Sequence, residues 1–341
     1  MKVLLFGSTG LLGHNVLLTL LARGHCIVAP VRSRRRLRLP DEVAGSERLE
    51  VVDSVDFSSP SFDLAAFLLR FPGIEAVINC AGTTDMSLLR YEDYLAGNVA
   101  MSRRVLELME AGGIGRYVHV SSANTIGYGT RENPGTEELP MMPPFADSFY
   151  ARSKREAEDM LADAAAKHPG WHIVTVNPGF MVGPYDVKPS SGKLLLAGYR
   201  KPLMAAPGGG KSFVHVADVA VATVNAMTMG RSGERYLLTG EDLSLGEFYA
   251  LQARECGYRQ RFVTLPGWLT NVAGGVGDLL RFFGIATQLS LCNVRQLQVK
   301  EYYSHAKATR ELDFAPRPVA EAIRDFFTWR SGNANAADRT H

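Results

Sequence analysis

The chain has 341 residues, 46% of them hydrophobic and 21% charged, which excludes a disordered, collagen-like or coiled-coil protein. Its formal net charge of +2 is too small to indicate a nucleic-acid-binding protein. At about 150 residues per domain this length predicts roughly two domains. The 4 cysteines form no CxxC pair and no metal-ligand spacing, so we expect reduced thiols and no metal.

Residues 3–22 carry no formal charge and could be taken for a signal peptide or a membrane-spanning helix. Glycines interrupt this stretch at every third position from 7 to 13. It therefore divides better into a buried strand (Lys2–Phe6), a glycine loop and a helix (Gly13–Arg23). We expect no targeting segment, no membrane span and a cytoplasmic protein.

The first half of the chain then alternates short apolar runs with helical patterns. The predicted strands are Cys26–Val31, Leu49–Val52, Ala76–Cys80, Tyr117–Val120 and Ile173–Asn177. Long helices are predicted over Tyr91–Gly112 and Ser148–Lys167. This rhythm predicts an α/β protein with a Rossmann-type, doubly wound parallel sheet and helices on both faces.

The alternation of strand and helix patterns ends after Pro178, where prolines and glycines interrupt the sequence. We expect a dinucleotide-binding domain over residues 1–177, which residues 214–229 rejoin, and a smaller mixed substrate-binding region over 178–330. Residues 331–341 are small and polar and predict a flexible tail. Residues 262–291 are apolar but interrupted by proline and glycine, so we expect an amphipathic lid or a subunit contact there.

The first loop has the pattern GxxGxxG between a strand and a helix. Glycine lets the backbone turn tightly and approach a pyrophosphate, while the following helix N-terminus faces the anion. A plain structural turn is the alternative, but the strand-before and helix-after context favours a dinucleotide site. The predicted cofactor-binding residues are Gly7, Ser8, Thr9, Gly10, Leu11, Leu12 and Gly13.

The second predicted strand leads into Arg32, where an NAD enzyme of this architecture usually has an acidic residue for the ribose 2′-hydroxyl. Five arginines lie within residues 32–38, and guanidinium groups suit a 2′-phosphate. We therefore favour NADP(H), bound by Arg32 and Arg35, with NAD(H) as the alternative. The arginines could also be a solvated or nucleic-acid-binding patch. Asp53 is either a contact to the adenine amino group or an ordinary loop carboxylate.

Tyr150 and Lys154 are four residues apart, so on a helix they share a face. A free tyrosine has a pKa near 10, and a lysine charge together with an oxidised nicotinamide can lower it enough for acid–base catalysis. Ser121 and Ser122 close the fifth predicted strand, where a hydroxyl can orient a substrate carbonyl. Together with the glycine loop, these residues predict a dehydrogenase site.

The chain resembles the extended short-chain dehydrogenases/reductases of the NAD-dependent epimerase/dehydratase type over about residues 1–330. The resemblance rests on GSTGLLG (7–13), NCAG (79–82), Asn98, VHVSSA (118–123), YARSK (150–154), NPGFMVGPYD (177–186), KSFVHVADVA (211–220) and AKATRELDFAPRP (306–318). Within this family it is similar to hopanoid-associated sugar epimerases and to dihydroflavonol-4-reductase-like reductases.

The resemblance implies a catalytic trio of Ser122, Tyr150 and Lys154, because the family's serine immediately precedes alanine. It implies further cofactor contacts at Ala81, Gly82, Asn98, Lys154 and Pro178. Family members also pair their long helices across a four-helix contact, so we expect a homodimer.

On the substrate side, sugar-nucleotide members hold a diphosphate with two basic residues. Lys211 occupies the first position, where arginine is usual, and Arg295 approximates the second. Ser190 and Ser191 open a predicted helix (Lys193–Tyr199) whose N-terminus could bind an anion. The predicted substrate contacts are Thr83, Ser122, Asn177, Ser190, Ser191, Lys211 and Arg295.

Three functions are therefore open, and the first is favoured slightly. The chain is an epimerase/dehydratase-type enzyme acting on a nucleoside-diphosphate sugar, an NADPH-dependent carbonyl reductase, or a non-catalytic NADP sensor. The last should have lost Tyr150 or Lys154, and this sequence keeps both.

Overall fold

The structure is a computed structural model that describes residues 1–57, 59, 61–187 and 190–338. Its strands are β1 (Lys2–Phe6), β2 (Cys26–Pro30), β3 (Leu49–Val52), β4 (Ala76–Asn79), β5 (Arg116–Val120), β6 (His172–Pro178), β7 (Phe180–Val182), β8 (Leu203–Pro207), β9 (Gly210–His215), β10 (Arg235–Leu238), β11 (Glu241–Ser244), β12 (Arg261–Leu265) and β13 (Lys300–Glu301).

The helices follow the predicted alternation. They are α1 (Leu11–Ala22), α2 (Asp41–Ala44), α3 (Leu64–Arg70), α4 (Tyr91–Leu95), α5 (Met101–Gly112), α6 (Phe149–Lys167), α7 (Gly192–Gly198), α8 (Val216–Asn225), α9 (Leu245–Glu255), α10 (Gly267–Phe282), α11 (Leu291–Gln296), α12 (Ala306–Leu312) and α13 (Val319–Asp338). The predicted helix over 91–112 contains a π-helical segment, Ala96–Ala100, between α4 and α5.

Seven parallel strands form the main sheet in the order β10-β6-β5-β4-β1-β2-β3. The sheet therefore has the doubly wound order predicted from the sequence, with one further strand at the β6 edge. The strand order reverses between β1 and β4. In such sheets the ligand crevice lies beyond the carboxyl ends of the strands at this switch point.

The core has two layers, one on each face of the main sheet. Val3 and Leu5 pack with α1 and α8 on one face, whereas Leu4 and Phe6 pack with α3, α5 and α6 on the other. Successive side chains of a strand point to opposite faces, so an all-apolar strand such as β1 can be buried on both.

The second half builds two smaller sheets. Residues 214–229 begin with the end of β9, a strand that lies between β11 and β13 in one of these sheets, whereas α8 packs against α1 and belongs to the core of the main sheet. The strand that rejoins is β10, which pairs with β6. The apolar residues of α8 bury against the main sheet, and the chain can pair with β6 only after this helix has crossed its face.

The predicted tail begins within α13, which continues to Asp338, and residues 339–341 lie outside those described. No described helix is both long and apolar enough to cross a membrane.

Candidate active site

The glycine loop joins β1 to α1 at the switch point. Gly7 has a φ of +78°, and a Cβ there would lie 2.5 Å from the Ala81 nitrogen, while a Cβ on Gly13 would lie 2.1 Å from the Gly7 oxygen. Both positions therefore require glycine. Gly10 caps α1 without a side-chain hydrogen bond, so the first backbone N–H groups of the helix remain available to an anion.

The other predicted loop residues differ in what they can offer. The side chains of Leu11 and Leu12 are buried in the core, so only their backbone N–H groups can face a ligand. Thr9 is half-buried. The Ser8 hydroxyl is buried, with no hydrogen-bond partner among the described residues.

The arginine segment follows β2 and is held by Asp53. The Asp53 Oδ1 accepts hydrogen bonds from the backbone N–H groups of Arg34 (2.7 Å) and Ser54 (2.9 Å). Arg32 and Arg35 are exposed and make no ion pair with another described residue. Asp53 thus orients the arginine segment through one oxygen and leaves only the other for the predicted adenine contact.

The loop after β4 packs tightly against Asn98 and Lys154. A Cβ on Gly82 would lie 2.8 Å from the Lys154 Nζ and 2.9 Å from the Asn98 Oδ1. The Thr83 N–H donates to Asn98 Oδ1 (2.9 Å), and Asn98 Nδ2 donates to Ser153 Oγ (2.8 Å). The π-helical segment places Asn98 in this position, consistent with the frequent occurrence of π-bulges at functional sites.

The predicted catalytic residues meet at the end of β5. Tyr150 and Lys154 lie on α6, and Ser122 follows β5, where its Oγ accepts the Asn124 N–H (3.3 Å). Burial raises the pKa of Tyr150, the Ser122 hydroxyl lowers it, and the Glu158 carboxyl raises it. The Ser122 hydroxyl is therefore close enough to the Tyr150 phenol to affect its pKa, and the phenol remains protonated at neutral pH.

Lys154 is 3% exposed, and its Nζ donates to the Val120 carbonyl (2.9 Å). Burial lowers its pKa to about 8, and Glu158 opposes this shift. The expected lowering of the Tyr150 pKa by Lys154 together with an oxidised nicotinamide stays a prediction. The ammonium is directed toward the loop at Gly82 instead of the phenol.

Glu158 is a site residue that sequence reasoning missed. It is 3% exposed, and its Oε1 accepts hydrogen bonds from Thr125 Oγ1 (2.7 Å) and Asn177 Nδ2 (2.7 Å). Burial raises its pKa, whereas Ser121, Thr125, Arg235 and Asn177 lower it. The available signal was an acidic residue one turn beyond Lys154, on the buried face of α6.

Asn177 and Pro178 end β6 inside this network. Asn177 is 0% exposed, and its Nδ2 also donates to the Ser122 carbonyl (3.1 Å). The Asn177 amide thus supports the Ser122 turn, and its predicted substrate contact stays a prediction. Pro178 is buried beside Leu238 of β10.

The predicted anion site at Ser190 and Ser191 is already filled by a carboxylate of the chain. Asp186 Oδ2 accepts the N–H groups of Ser190 (2.9 Å) and Gly192 (2.8 Å), and Oδ1 accepts the Ser190 hydroxyl (3.0 Å). The Ser191 hydroxyl is buried. A substrate phosphate would meet the like charge of Asp186 here, and the anion contact at Ser190 and Ser191 stays a prediction.

The two predicted diphosphate contacts lie in different surroundings, and both stay predictions. Lys211 forms a largely buried ion pair with Glu301, so its charge is balanced within the chain. Arg295 is exposed on α11. Lys211 pairs in this way because β13 lies beside β9 and aligns Glu301 with Lys211.

Helices α10 and α11 lie against the segment that continues from Thr83. Arg281 donates to the carbonyls of Leu88 (2.7 Å) and Met86 (3.3 Å), and Asn293 Nδ2 also donates to Met86 (3.3 Å). These contacts attach the predicted lid to the substrate side of the site.

The sequence model of the NAD dependent epimerase/dehydratase family matches residues 3–239. The chain belongs to this family. It is 27% identical over 334 residues to sterol demethylase protein B of Methylococcus capsulatus, covering 96% of this chain and 98% of that protein. It is also 26% identical over 329 residues to a putative dihydroflavonol 4-reductase of Synechocystis, covering 95% and 92%.

The fold is similar to that of a solved UDP-glucose-4-epimerase from Stenotrophomonas maltophila, with bound NAD and formylated UDP-arabinopyranose. That structure has a TM-score of 0.76 and 21% identity, covering 98% of this chain and 99% of the other. The family is described as NAD dependent, and a GxxGxxG loop between a strand and a helix can accept a dinucleotide. Three features fit such a group: the glycine loop at Gly7, the N-terminus of α1 without a side-chain cap, and the guanidinium of Arg32, which pairs with no described carboxylate.

Proposed function

We propose that this chain is an NADP(H)-dependent reductase that converts a ketone into a secondary alcohol on an apolar organic molecule. The observation that carries the proposal is the placement of Tyr150 and Lys154 on α6 beside the end of β5, where Ser122 follows the strand and the Lys154 Nζ donates to the Val120 carbonyl. A proton donor, an oxygen-orienting hydroxyl and a cation converge there beside the switch point, where a dinucleotide is held.

The chain's own groups account for the proton chemistry. The cofactor, when bound, supplies the hydride. The Ser122 hydroxyl orients the ketone oxygen, and Tyr150 Oη donates a proton to that oxygen as the alcohol forms. Because burial raises the pKa of Tyr150, the phenol is protonated and suited to act as the acid in the direction of reduction. Lys154 would hold the ribose of that cofactor, and Asn98 fixes the loop at Gly82 and Thr83 through its hydrogen bond from the Thr83 N–H.

NADP(H) is supported by the arginine segment. Arg32 occupies the position of the usual acidic residue, is exposed, and makes no ion pair with a described residue. A guanidinium facing a 2′-phosphate forms charge-assisted hydrogen bonds, so Arg32 should favour the phosphorylated cofactor.

An apolar substrate is favoured over the nucleoside-diphosphate sugar expected from the sequence. The Lys211–Glu301 ion pair and the Asp186 carboxylate argue against two of the proposed anion contacts. The relatives named as a sterol demethylase protein and a dihydroflavonol 4-reductase support a ketone that is not a sugar, whereas two relatives named as dTDP-4-dehydro-6-deoxy-D-allose reductases support the sugar. The sugar hypothesis keeps the exposed Arg295 as a phosphate contact.

Turnover assays with variants of Tyr150 test the chemistry. NADPH consumption is followed with a steroid ketone, a flavanone-type ketone and a nucleotide-linked 4-keto sugar. Tyr150→Phe should lower the rate by about 10²–10⁴-fold and leave cofactor binding intact. The matched control is Tyr91→Phe, because the Tyr91 hydroxyl donates to Glu156 outside the candidate site. Wild-type turnover by folded, cofactor-bound Tyr150→Phe would support the sensor role instead, whereas turnover of the sugar alone would overturn the apolar substrate.

Binding titrations test the cofactor. Arg32→Ala should weaken NADP binding roughly tenfold, as expected for loss of about 1.4 kcal/mol, with no change for NAD. Arg116 is exposed at the amino end of β5, away from the carboxyl ends of the strands. Arg116→Ala should therefore change the affinity for neither NADP nor NAD. Equal affinity of the wild-type chain for NADP and NAD would contradict this part of the proposal.

A further inference from the structure

The outward face of α10 is apolar along its whole length. Trp268 is 68% exposed, Val272 60%, Val276 53%, Leu279 58%, Phe282 82% and, at the helix end, Phe283 70%. At 100° per residue these positions share one side of the helix. A surface helix normally shows the reverse arrangement, with its apolar stripe toward the core.

The inward face of α10 is occupied by close backbone packing and cannot accept this stripe. A Cβ on Gly277 would lie 1.9 Å from the Leu289 oxygen, and one on Gly274 would lie 2.9 Å from the Leu291 Cα. Arg281 also points inward, to Met86 and Leu88. The rotation of the helix is thus set by its glycines and its arginine, which hold the aromatic and aliphatic residues in water.

The chain segments that precede and follow α10 are rich in basic residues. Residues 256–300 contain five basic residues and one acidic residue, Asp278, which accepts the Leu291 N–H (3.2 Å). Arg259, Arg261, Arg295 and Lys300 are exposed. Arg261 and Val263 share a face of β12, and Leu203 pairs with Arg261, so this small sheet also exposes apolar groups beside a cation.

We propose that α10 docks the protein onto an anionic lipid bilayer, with its apolar face in the headgroup–acyl boundary. A helix with one apolar face and basic neighbours binds such a surface through buried apolar area and attraction to anionic lipids. Contiguous exposed apolar patches on soluble proteins mark interaction sites. Because α10 is attached to the segment after Thr83, docking brings the substrate side of the candidate site to the membrane.

Charge distinguishes the bilayer from a second copy of this chain. In a two-fold symmetric contact the same patch meets itself, so the basic segments would face one another with only Asp278 to offset them. An anionic surface is complementary to all of them. The subunit contact considered for residues 262–291 is therefore disfavoured on electrostatic grounds.

Vesicle sedimentation of the full chain tests the proposal without turnover or substrate, so its outcome is independent of the proposed function. Phosphatidylcholine vesicles containing phosphatidylglycerol should bind the protein, and pure phosphatidylcholine vesicles should bind it more weakly. Added salt should weaken the binding to anionic vesicles. The double variant Val272→Ser/Val276→Ser should reduce the partition coefficient by about tenfold.

Leu69→Ser is the matched control, because Leu69 is 82% exposed but lies on α3, outside the patch. It should bind vesicles like the wild type. The valines are exposed, so their replacement leaves no cavity, and thermal unfolding checks the fold. Absence of binding by the wild type, or equal binding by the double variant, would overturn the proposal. So would a wild-type dimer that the double variant converts to a monomer.

Trp268 provides a second readout in the unmodified protein. Its emission should shift to the blue when anionic vesicles are added, because the indole leaves water for the interfacial region. Trp268→Phe should abolish the shift and retain most of the sedimentation. A shift that persists in this variant would place the contact at another tryptophan and overturn the docking geometry.

Discussion

The carboxyl of Glu158 joins the loop that carries Ser122 to the strand that carries Asn177. Its Oε1 receives two hydrogen bonds of 2.7 Å, and its charge raises the pKa of both Lys154 and Tyr150. Glu158 therefore acts on the site through other residues, as a positioning residue.

Replacement of Glu158 should move the pH profile as well as the rate. In Glu158→Gln the carbonyl oxygen can still accept both hydrogen bonds, but the negative charge is lost. The pKa of Lys154, about 8 in the present structure, should fall, so the alkaline loss of kcat/KM should begin at lower pH. The pH dependence of kcat/KM measures this.

Glu156→Gln, on the exposed side of the same helix, is the control and should keep the wild-type profile. A slower Glu158→Gln enzyme with an unshifted alkaline limb would mean that Glu158 serves the fold alone.

His14 makes stability depend on pH. It is 1% exposed, stacks on Tyr185 at 4.1 Å, and burial lowers its pKa to about 4. Between pH 6.5 and 4 the unfolded chain binds a proton that the folded chain does not, so stability is lost as the pH falls through this window. The contribution at pH 4.5 is about 2–3 kcal/mol.

His14→Phe keeps the stacking and removes the titration. Urea unfolding at pH 7 and pH 4.5 should therefore show a smaller loss of stability in this variant. The exposed His168, stacked on Trp171 at 4.0 Å, supplies the control His168→Phe. An equal loss of stability in wild type and His14→Phe would refute the assignment.

Two glycines of α10 differ in the space available for a side chain. A Cβ at Gly277 meets the Leu289 carbonyl at 1.9 Å, whereas a Cβ at Gly275 meets nothing within 4 Å. Gly277→Ala should destabilise the fold by about 1–3 kcal/mol because the helix must move away from its neighbour. Gly275→Ala should stabilise it by about 0.5–1 kcal/mol through helix propensity.

The free energy of unfolding from urea titrations tests both substitutions within one helix. Destabilisation by both would indicate that α10 is strained as a whole, and no effect of Gly277→Ala would mean that the close approach to Leu289 is absent.

At the scale of the whole molecule, assembly through α4, α5 and α6 remains a prediction. The groove between α5 and α6 is lined by Leu106, Met160 and Trp171 and by charges of both signs, which can pair across a two-fold axis. Light scattering at micromolar concentration should give a dimer. Met160→Glu should give a monomer, whereas Val272→Ser/Val276→Ser should leave the dimer intact. A monomeric wild type would contradict the prediction.

The parts of the fold that the sequence predicted correctly are those set within one element or between neighbours in the chain. The glycine spacing from Gly7 to Gly13 predicts where the backbone turns, because only glycine tolerates the positive φ at Gly7 and the close backbone contacts at Gly7 and Gly13. The spacing of Tyr150 and Lys154 follows from the helical period. The strand–helix alternation implies the parallel sheet because parallel strands require crossovers.

The features that the sequence left undetermined depend on contacts between distant segments. The pairing of Lys211 with Glu301 requires β13 to align beside β9, and the support of Ser122 by Glu158 requires α6 and β6 to meet. Periodicity shows that α10 has an apolar face, but only the packing of Gly274 and Gly277 against residues 289–291 decides that this face points outward. Local sequence thus determined the elements and the spacing of the catalytic groups, while tertiary contacts decided which charges are neutralised and which apolar surface remains in water.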